Sequence, residues 1–219
     1  MQKLFLAVLA VVGLTFHAVA SDGYTVGSSV SDFSLKSTKG KNVSLADYKD
    51  AKGFIITFTC NHCPYAKAYE DRIIALDKKY AAKGYPVIAI NPNDAVQYPE
   101  DNFDNMEIRA KEKGFTFPYL YDESQEQAKK FGAIKTPHMY VVQKDGSKLI
   151  VKYIGAIDDN WEDAAAVKEK YVEAAVDALL AMQTRNCFVA IGLRHLFYKQ
   201  GLIEQLRLRG FSVTPVAAA

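Results

Sequence analysis

Apolar positions along the chain change their spacing at short intervals, and each change marks an element. Residues 54–58, Phe-Ile-Ile-Thr-Phe, are almost uniformly apolar, the pattern of a strand buried on both faces. Directly afterwards Tyr65, Tyr69, Ile73, Leu76 and Tyr80 recur at helical spacing until Gly84 ends the series, so strand runs straight into helix. Residues 86–91 repeat the buried-strand pattern, and Phe103, Met106 and Ala110 then predict the inward face of a helix from about residue 100 to 113. A β, α, β alternation of this kind implies a parallel pair with a right-handed crossover.

Around that unit the turns are legible. Phe33, Leu35 and residues 43–45 flank Ser37-Thr38-Lys39-Gly40, which predicts a hairpin turned at Lys39-Gly40. A short strand follows at 117–121 and a short helix at 124–131, stopped by Gly132. Residues 138–143 pair with 149–154 across the Asp145-Gly146 turn. Residues 163–182 read as one closing amphipathic helix with Val167, Tyr171, Ala174, Ala175 and Leu179 on one face. The order is βαβ, an inserted αβ, a helix, a β-hairpin and a helix, within one α/β domain at 21–182.

The two ends differ in kind from this body. Residues 1–20 carry Lys3, an apolar run at 4–16 and then Ala18-Val19-Ala20, the order of a cleavable secretory signal ending after Ala20. That run is too short to span a bilayer core of about 30 Å, so no stable membrane span is expected and the mature protein belongs to an exported, periplasmic or other extracytoplasmic compartment, where thiols can form disulfides. The tail at 183–219 is basic, with 5 Lys and Arg against 1 acidic residue, and is read as a poorly ordered appendage or a basic amphipathic segment. The whole chain has a formal net charge of only +2, which gives no electrostatic footprint for nucleic acid. With 3 cysteines in 219 residues, a disulfide-built scaffold is excluded.

Two of those cysteines form the candidate site, Cys60-Asn61-His62-Cys63. Where a buried strand meets a helix start, the first sulfur of a Cys-x-x-Cys sits near unpaired N–H groups and the positive end of the dipole, which favour thiolate over thiol. His62 can add a cationic or hydrogen-bonding partner for Cys60. Cys63, one turn on, is close enough to attack a mixed disulfide on Cys60 and release it. Pro64, in the first helical turn, gives up an N–H that had little to bond. Half a zinc ribbon would need a second cysteine pair, and Cys187 stands alone; an inert structural disulfide closing four residues would add little stability. Thr136-Pro137 precedes the second hairpin, either as a cis proline presenting backbone groups beside the dithiol or as a trans proline at a strand edge. His138 faces the site or the surface.

The segments Phe58-Thr59-Cys60-Asn61-His62-Cys63-Pro64-Tyr65, Lys135-Thr136-Pro137-His138 and the hairpin Asp32-Phe33-Ser34-Leu35 with Val43-Ser44-Leu45 resemble the redoxin branch of the thioredoxin-like superfamily, the alkyl hydroperoxide reductase/thiol-specific antioxidant domains. The resemblance covers about residues 27–182. It implies a thioredoxin-like fold, a central mixed sheet flanked by helices with an N-terminal β-hairpin and an inserted αβ segment at 100–121. It also implies Cys60 as attacking thiol, Cys63 as resolving thiol and Pro137 as a cis proline, with Thr136 and Pro64 toward substrate. The Asn61-His62 pair differs from the Gly-Pro of thioredoxin, and residues 54–58 hold no carboxylate to serve as thioredoxin's buried acid.

The expected activity is thiol-disulfide exchange with exported protein thiols and disulfides, recharged by an unidentified redox partner and needing no cofactor. A peroxidase is the alternative, because Thr57-x-x-Cys60 matches part of the peroxiredoxin Pro-x-x-x-Thr-x-x-Cys site, although Gly53 stands where the proline belongs. A third reading is a metal carrier using Cys60, Cys63 and His62 as soft ligands.

Overall fold

The computed structural model describes residues 23–183. The expected signal segment at 1–20, Cys187 and the tail beyond residue 183 lie outside the described residues. The chain divides into two compact units at Val176/Asp177, and the second is described only in the closing residues of the last helix.

The first unit is built on one mixed eight-stranded sheet. Its strands in chain order are β1 (Ser29–Val30), β2 (Ser34–Ser37), β3 (Asn42–Ser44), β4 (Gly53–Phe58), β5 (Val87–Asn91), β6 (Tyr119–Tyr121), β7 (His138–Asp145) and β8 (Lys148–Gly155). Across the sheet they lie in the order β1-β8-β7-β4-β5-β6-β2-β3. The β4, β5 and β6 strands are parallel, as the alternation requires, while β7 runs antiparallel to β4 with His138 opposite Phe58. The C-terminal end of β4 therefore stands beside the start of β7. That juxtaposition brings residues 60–63 and Thr136 together from 73 or more positions apart.

The strands β4 and β5 are buried along their whole length. Alternation then sends Phe54, Ile56 and Phe58 to one face, where they pack with Ile88, Ile90, Leu120, Tyr140 and Phe131. Phe131, at the end of the short helix α3 (Glu126–Phe131), is the hub: its ring meets Tyr24, Phe33, Phe58 and Tyr140 at centroid distances of 5.0 to 6.4 Å. The opposite face is covered by α1 (Pro64–Tyr80), which buries Tyr69, Ile73, Leu76 and Tyr80 as its spacing predicts. Tyr65 departs from that series. It is 49% exposed and rests on Trp161, because the first turn of α1 meets the loop after β8 and not the sheet.

Two further expectations are corrected. The helix read from residue 100 is a 3-10 turn, Pro99–Asp101, followed by α2 (Phe103–Lys113), because Asn102 adopts an extended conformation and caps α2 by accepting the Asn105 N–H. The closing helix α4 begins at Tyr171 and not at residue 163. Asp163 caps only a 3-10 turn at Ala164–Ala166, Val167 is extended, and the N–H groups of Lys168 and Glu169 are taken by the Asp159 carboxylate, which holds that stretch out of a helix.

Phe131 is thus both core hub and support for the α3 wall of the site. Phe131→Ala should lower unfolding free energy by about 3–5 kcal/mol. Urea denaturation followed by circular dichroism checks it; a loss below about 1 kcal/mol would show that the four-ring contact is not what holds α3 down.

Candidate active site

The strand β4 ends at Phe58, and the chain crosses from sheet to helix through Thr59–Cys63 before Pro64 opens α1 with Cys63 as N-cap. Both thiols are free and both touch one residue, Thr136, the partner preceding the cis Pro137. The Cys60 sulfur lies 3.5 Å from the Thr136 hydroxyl, and the Cys63 thiol donates to the Thr136 carbonyl at 3.9 Å. Together they border a cleft of about 940 Å³ walled by His62 and Tyr98 on one side and by α3 and residues 132–136 on the other. Lys129, Ile134 and Lys135 are exposed on that second wall.

The two sulfurs differ from the arrangement expected of the helix terminus alone. Cys60 is buried, and burial pushes its thiol pKa up; the Thr136 hydroxyl and the Cys63 N–H pull it down but do not compensate, and the nearby Asp101 and Cys63 charges push it up further. Cys63 is more exposed, and its thiol is held below the ordinary value. Its burial acts upward, yet contact with Thr136 and the N–H groups of Ala66 and Tyr65 at the start of α1 outweighs it. The positive end of the helix therefore acts most on the second cysteine.

His62 is held by a residue that sequence reasoning passed over. Its Nδ1 lies 2.5 Å from a carboxylate oxygen of Asp101, and its ring stacks on Tyr98 at 4.8 Å and 9°. Asp101 is fully buried. It also accepts the Asn61 backbone N–H at 2.6 Å and the Asn93 side-chain amide at 2.7 Å, so one carboxylate fixes both residues between the cysteines. Asn61 is fastened further, its amide donating to the Glu100 carbonyl and its oxygen accepting the Tyr119 hydroxyl, both at 2.9 Å. Thioredoxin's acid was sought in β4; a buried acid comes here from the turn after β5. Nothing in the local pattern at Pro99-Glu100-Asp101-Asn102 marks it, since an acid before a helix also reads as an ordinary N-terminal residue.

The remaining candidates separate. Pro64 is exposed at the first position of α1, Thr136 is half-buried between the thiols, and Pro137 is buried. His138 faces neither cleft nor solvent: it is buried on β7 with Nδ1 3.1 Å from the Tyr140 hydroxyl, and burial followed by the nearby Lys135 charge lowers its pKa. Thr57 is fully buried inside β4 and does not border the cleft. At Gly53 the strand approaches the Val142 carbonyl and the Tyr85 ring so closely that a Cβ would collide, and its N–H is bonded to the Gly84 carbonyl, so the peroxiredoxin proline has neither room nor a spare N–H to give up there. Cys60, His62 and Asp101 present donor atoms within 4.8 Å of one another, but as a metal centre the set is poorly formed, since three N–H donors already occupy the two Asp101 oxygens and Cys63 is outside it. No helix among the described residues is long and apolar enough to cross a membrane.

The family model described as AhpC/TSA family matches residues 26–153. Among solved structures the chain is similar to an uncharacterized conserved protein from Geobacillus kaustophilus, 40% identical with a TM-score of 0.67, over 72% of this chain and 83% of that one. It is also similar to the thiol-disulfide oxidoreductase ResA of Geobacillus thermodenitrificans, 26% identical over 149 residues, 65% of this chain and 79% of the relative. A putative thiol:disulfide interchange protein DsbE from Chlorobium tepidum, 19% identical with a TM-score of 0.54 over 71% of this chain and 98% of that one, shares the fold. With a thioredoxin-like sheet, a Cys-x-x-Cys at its strand-to-helix junction and the family match spanning more than half its length, the chain belongs to the AhpC/TSA family as a thiol-disulfide oxidoreductase.

Proposed function

We propose that the protein exchanges disulfides with protein substrates through a Cys60–Cys63 dithiol, Cys60 carrying the mixed disulfide and Cys63 resolving it. The observation that carries this is a pair of thiols that share Thr136 at one cleft, the first buried and the second at the N-cap of α1. In an exchange step the lower-pKa sulfur leaves faster, so a substrate thiolate attacking the oxidised pair at Cys60 expels a stabilised Cys63 thiolate. In the reductive direction the higher-pKa Cys60 is the stronger nucleophile once deprotonated, and Cys63 is already poised as thiolate to resolve. The cleft, bordered by the exposed Ile134 and by residues 132–136, suits an extended peptide. The leader pattern at 1–20 favours exported proteins outside the cytoplasm as substrates, with a second redox protein recharging the dithiol. A peroxidase gains no support from Thr57 and Gly53 as they are placed.

Two measurements test this. At pH 8, below the ordinary thiol value of 9.0, a short iodoacetamide pulse on the reduced protein should label Cys63 before Cys60, because Cys63 ionises lower and is more exposed; the preference should vanish in strong alkali, where both are thiolates. Labelling of Cys60 first at pH 8 would reverse the tuning. Separately, Cys63→Ser should accumulate mixed disulfides with client proteins in non-reducing gels while Cys60→Ser accumulates none; trapping by Cys60→Ser instead would exchange the two roles.

A further inference from the structure

We infer that Asp101 is a positioning residue that makes His62 the base for Cys60, so that Cys60, His62 and Asp101 act as a nucleophile, base and orienting acid. The inference rests on the exchange reading above and adds to it how a buried thiol becomes reactive. One nitrogen of His62 lies within 4.8 Å of both the Cys60 sulfur and an Asp101 oxygen. The imidazole is confined from two sides, by the carboxylate at Nδ1 and by the Tyr98 ring stacked on its face. With Nδ1 donating its hydrogen to Asp101, Nε2 is the nitrogen left with a free lone pair to receive a proton. No hydrogen bond joins His62 and Cys60 as they stand, so Nε2 reaches the sulfur through one water of the cleft, base and nucleophile often being loosely aligned before substrate binds.

The chemistry balances without an added reagent. Cys60 gives its proton to His62; the thiolate attacks one sulfur of a substrate disulfide, the substrate S–S bond breaks, and the departing sulfur takes the proton back from the imidazolium. The Cys63 thiolate, its proton lost to solvent, then attacks Cys60, forming the intramolecular disulfide. The second substrate sulfur leaves and is protonated by solvent. Substrate gains two electrons and two protons, the dithiol loses them, and every step reverses when the protein acts as oxidant.

Other groups facing this trio are Cys63 at the N-cap of α1, Glu70 on α1, Tyr98 in the segment after β5, Tyr119 on β6, Lys129 on α3 and Lys135 before β7. Glu70 borders a small cavity with Cys60 but is held in a two-point ion pair with Arg109, at 2.7 and 2.6 Å, and Lys113 lies 3.6 Å away. Both Glu70 carboxylate oxygens are thereby engaged by the Arg109 guanidinium.

The test reads thiol reactivity in the full chain. In a Cys63→Ser background, iodoacetamide alkylation of the Cys60 peptide is followed by mass spectrometry from acid to alkali. At pH 7 the rate should fall about tenfold in His62→Gln, the change that one unit of thiol pKa produces, and by less in Asp101→Asn, where losing the carboxylate charge that raises the Cys60 pKa offsets part of the loss. The double variant should fall no further than His62→Gln alone, and all rates should converge in alkali, where Cys60 ionises unaided. An unchanged profile in His62→Gln, additive losses in the double variant, or an equal loss at every pH would each overturn the inference. The His62 side chain is 32% exposed and replaceable without opening the core, so it decides the matter should Asp101→Asn not fold. Alkylation needs no disulfide partner. Intact trapping with an unchanged profile therefore sinks this inference alone, and lost trapping with the expected profile sinks the exchange reading alone.

Discussion

The geometry of the site depends on one buried carboxylate. Asp101 receives hydrogen bonds from the Asn61 backbone, the His62 ring and the Asn93 side chain, and has no exposure to solvent. A buried charge is tolerated only when its oxygens are satisfied, and here the donors that satisfy it are the loop between the two cysteines and the segment after β5. The requirement therefore acts in both directions: the acid orients the loop, and the loop is what allows the acid to be buried. Tyr119 and the Glu100 carbonyl fasten Asn61 from the same side. The dithiol is consequently set from three elements, the β4–α1 junction, the turn after β5 and β6, with Thr136 closing the fourth side.

Sequence made the first of these elements plain and concealed the others. The uniformly apolar 54–58, the helical recurrence from Tyr69 to Tyr80 and the Cys-x-x-Cys between them are local patterns, and buried strand, helix and thiol pair appear where those patterns lie. The parallel β4–β5 pair and the hairpin turned at Gly146 follow for the same reason. Asp101 was not legible because its partners are 39 and 40 residues away, and an acid before Asn102 looks like any residue at a helix start. Tyr65 and Val167 failed differently. Each fits a helical spacing, but Tyr65 meets Trp161 in the loop after β8, and Val167 lies in a stretch whose N–H groups are claimed by Asp159. Periodicity reports which face a residue would take within a helix, not whether another partner gets there first.

The distribution of charge-stabilising groups over the two thiols also runs against the simple helix-terminus picture. A sulfur preceding a helix should be the thiolate, yet the N–H groups of α1 act chiefly on Cys63, while Cys60 pairs with the Thr136 hydroxyl inside a buried corner. Such a division gives the pair a good leaving group and a strong latent nucleophile. Which of the two reacts first then depends on where the Cys60 proton can go, which under the inference above is the His62 ring that Asp101 holds.

In thioredoxin the buried acid belongs to the central strand, so it is part of the sheet that defines the fold. In this chain residues 54–58 contain none, and Asp101 sits instead on the turn that opens the inserted segment at 100–121. The sheet needs β4 to be apolar, since both its faces are covered, and that demand leaves little freedom to vary a charged group there. An acid on a turn after β5 carries no such constraint. There it is satisfied by Asn61, His62 and Asn93 and lies outside the packing of Phe54, Ile56 and Phe58. Placing the acid on that turn keeps the charged group out of the strand while it still fixes the loop between the cysteines.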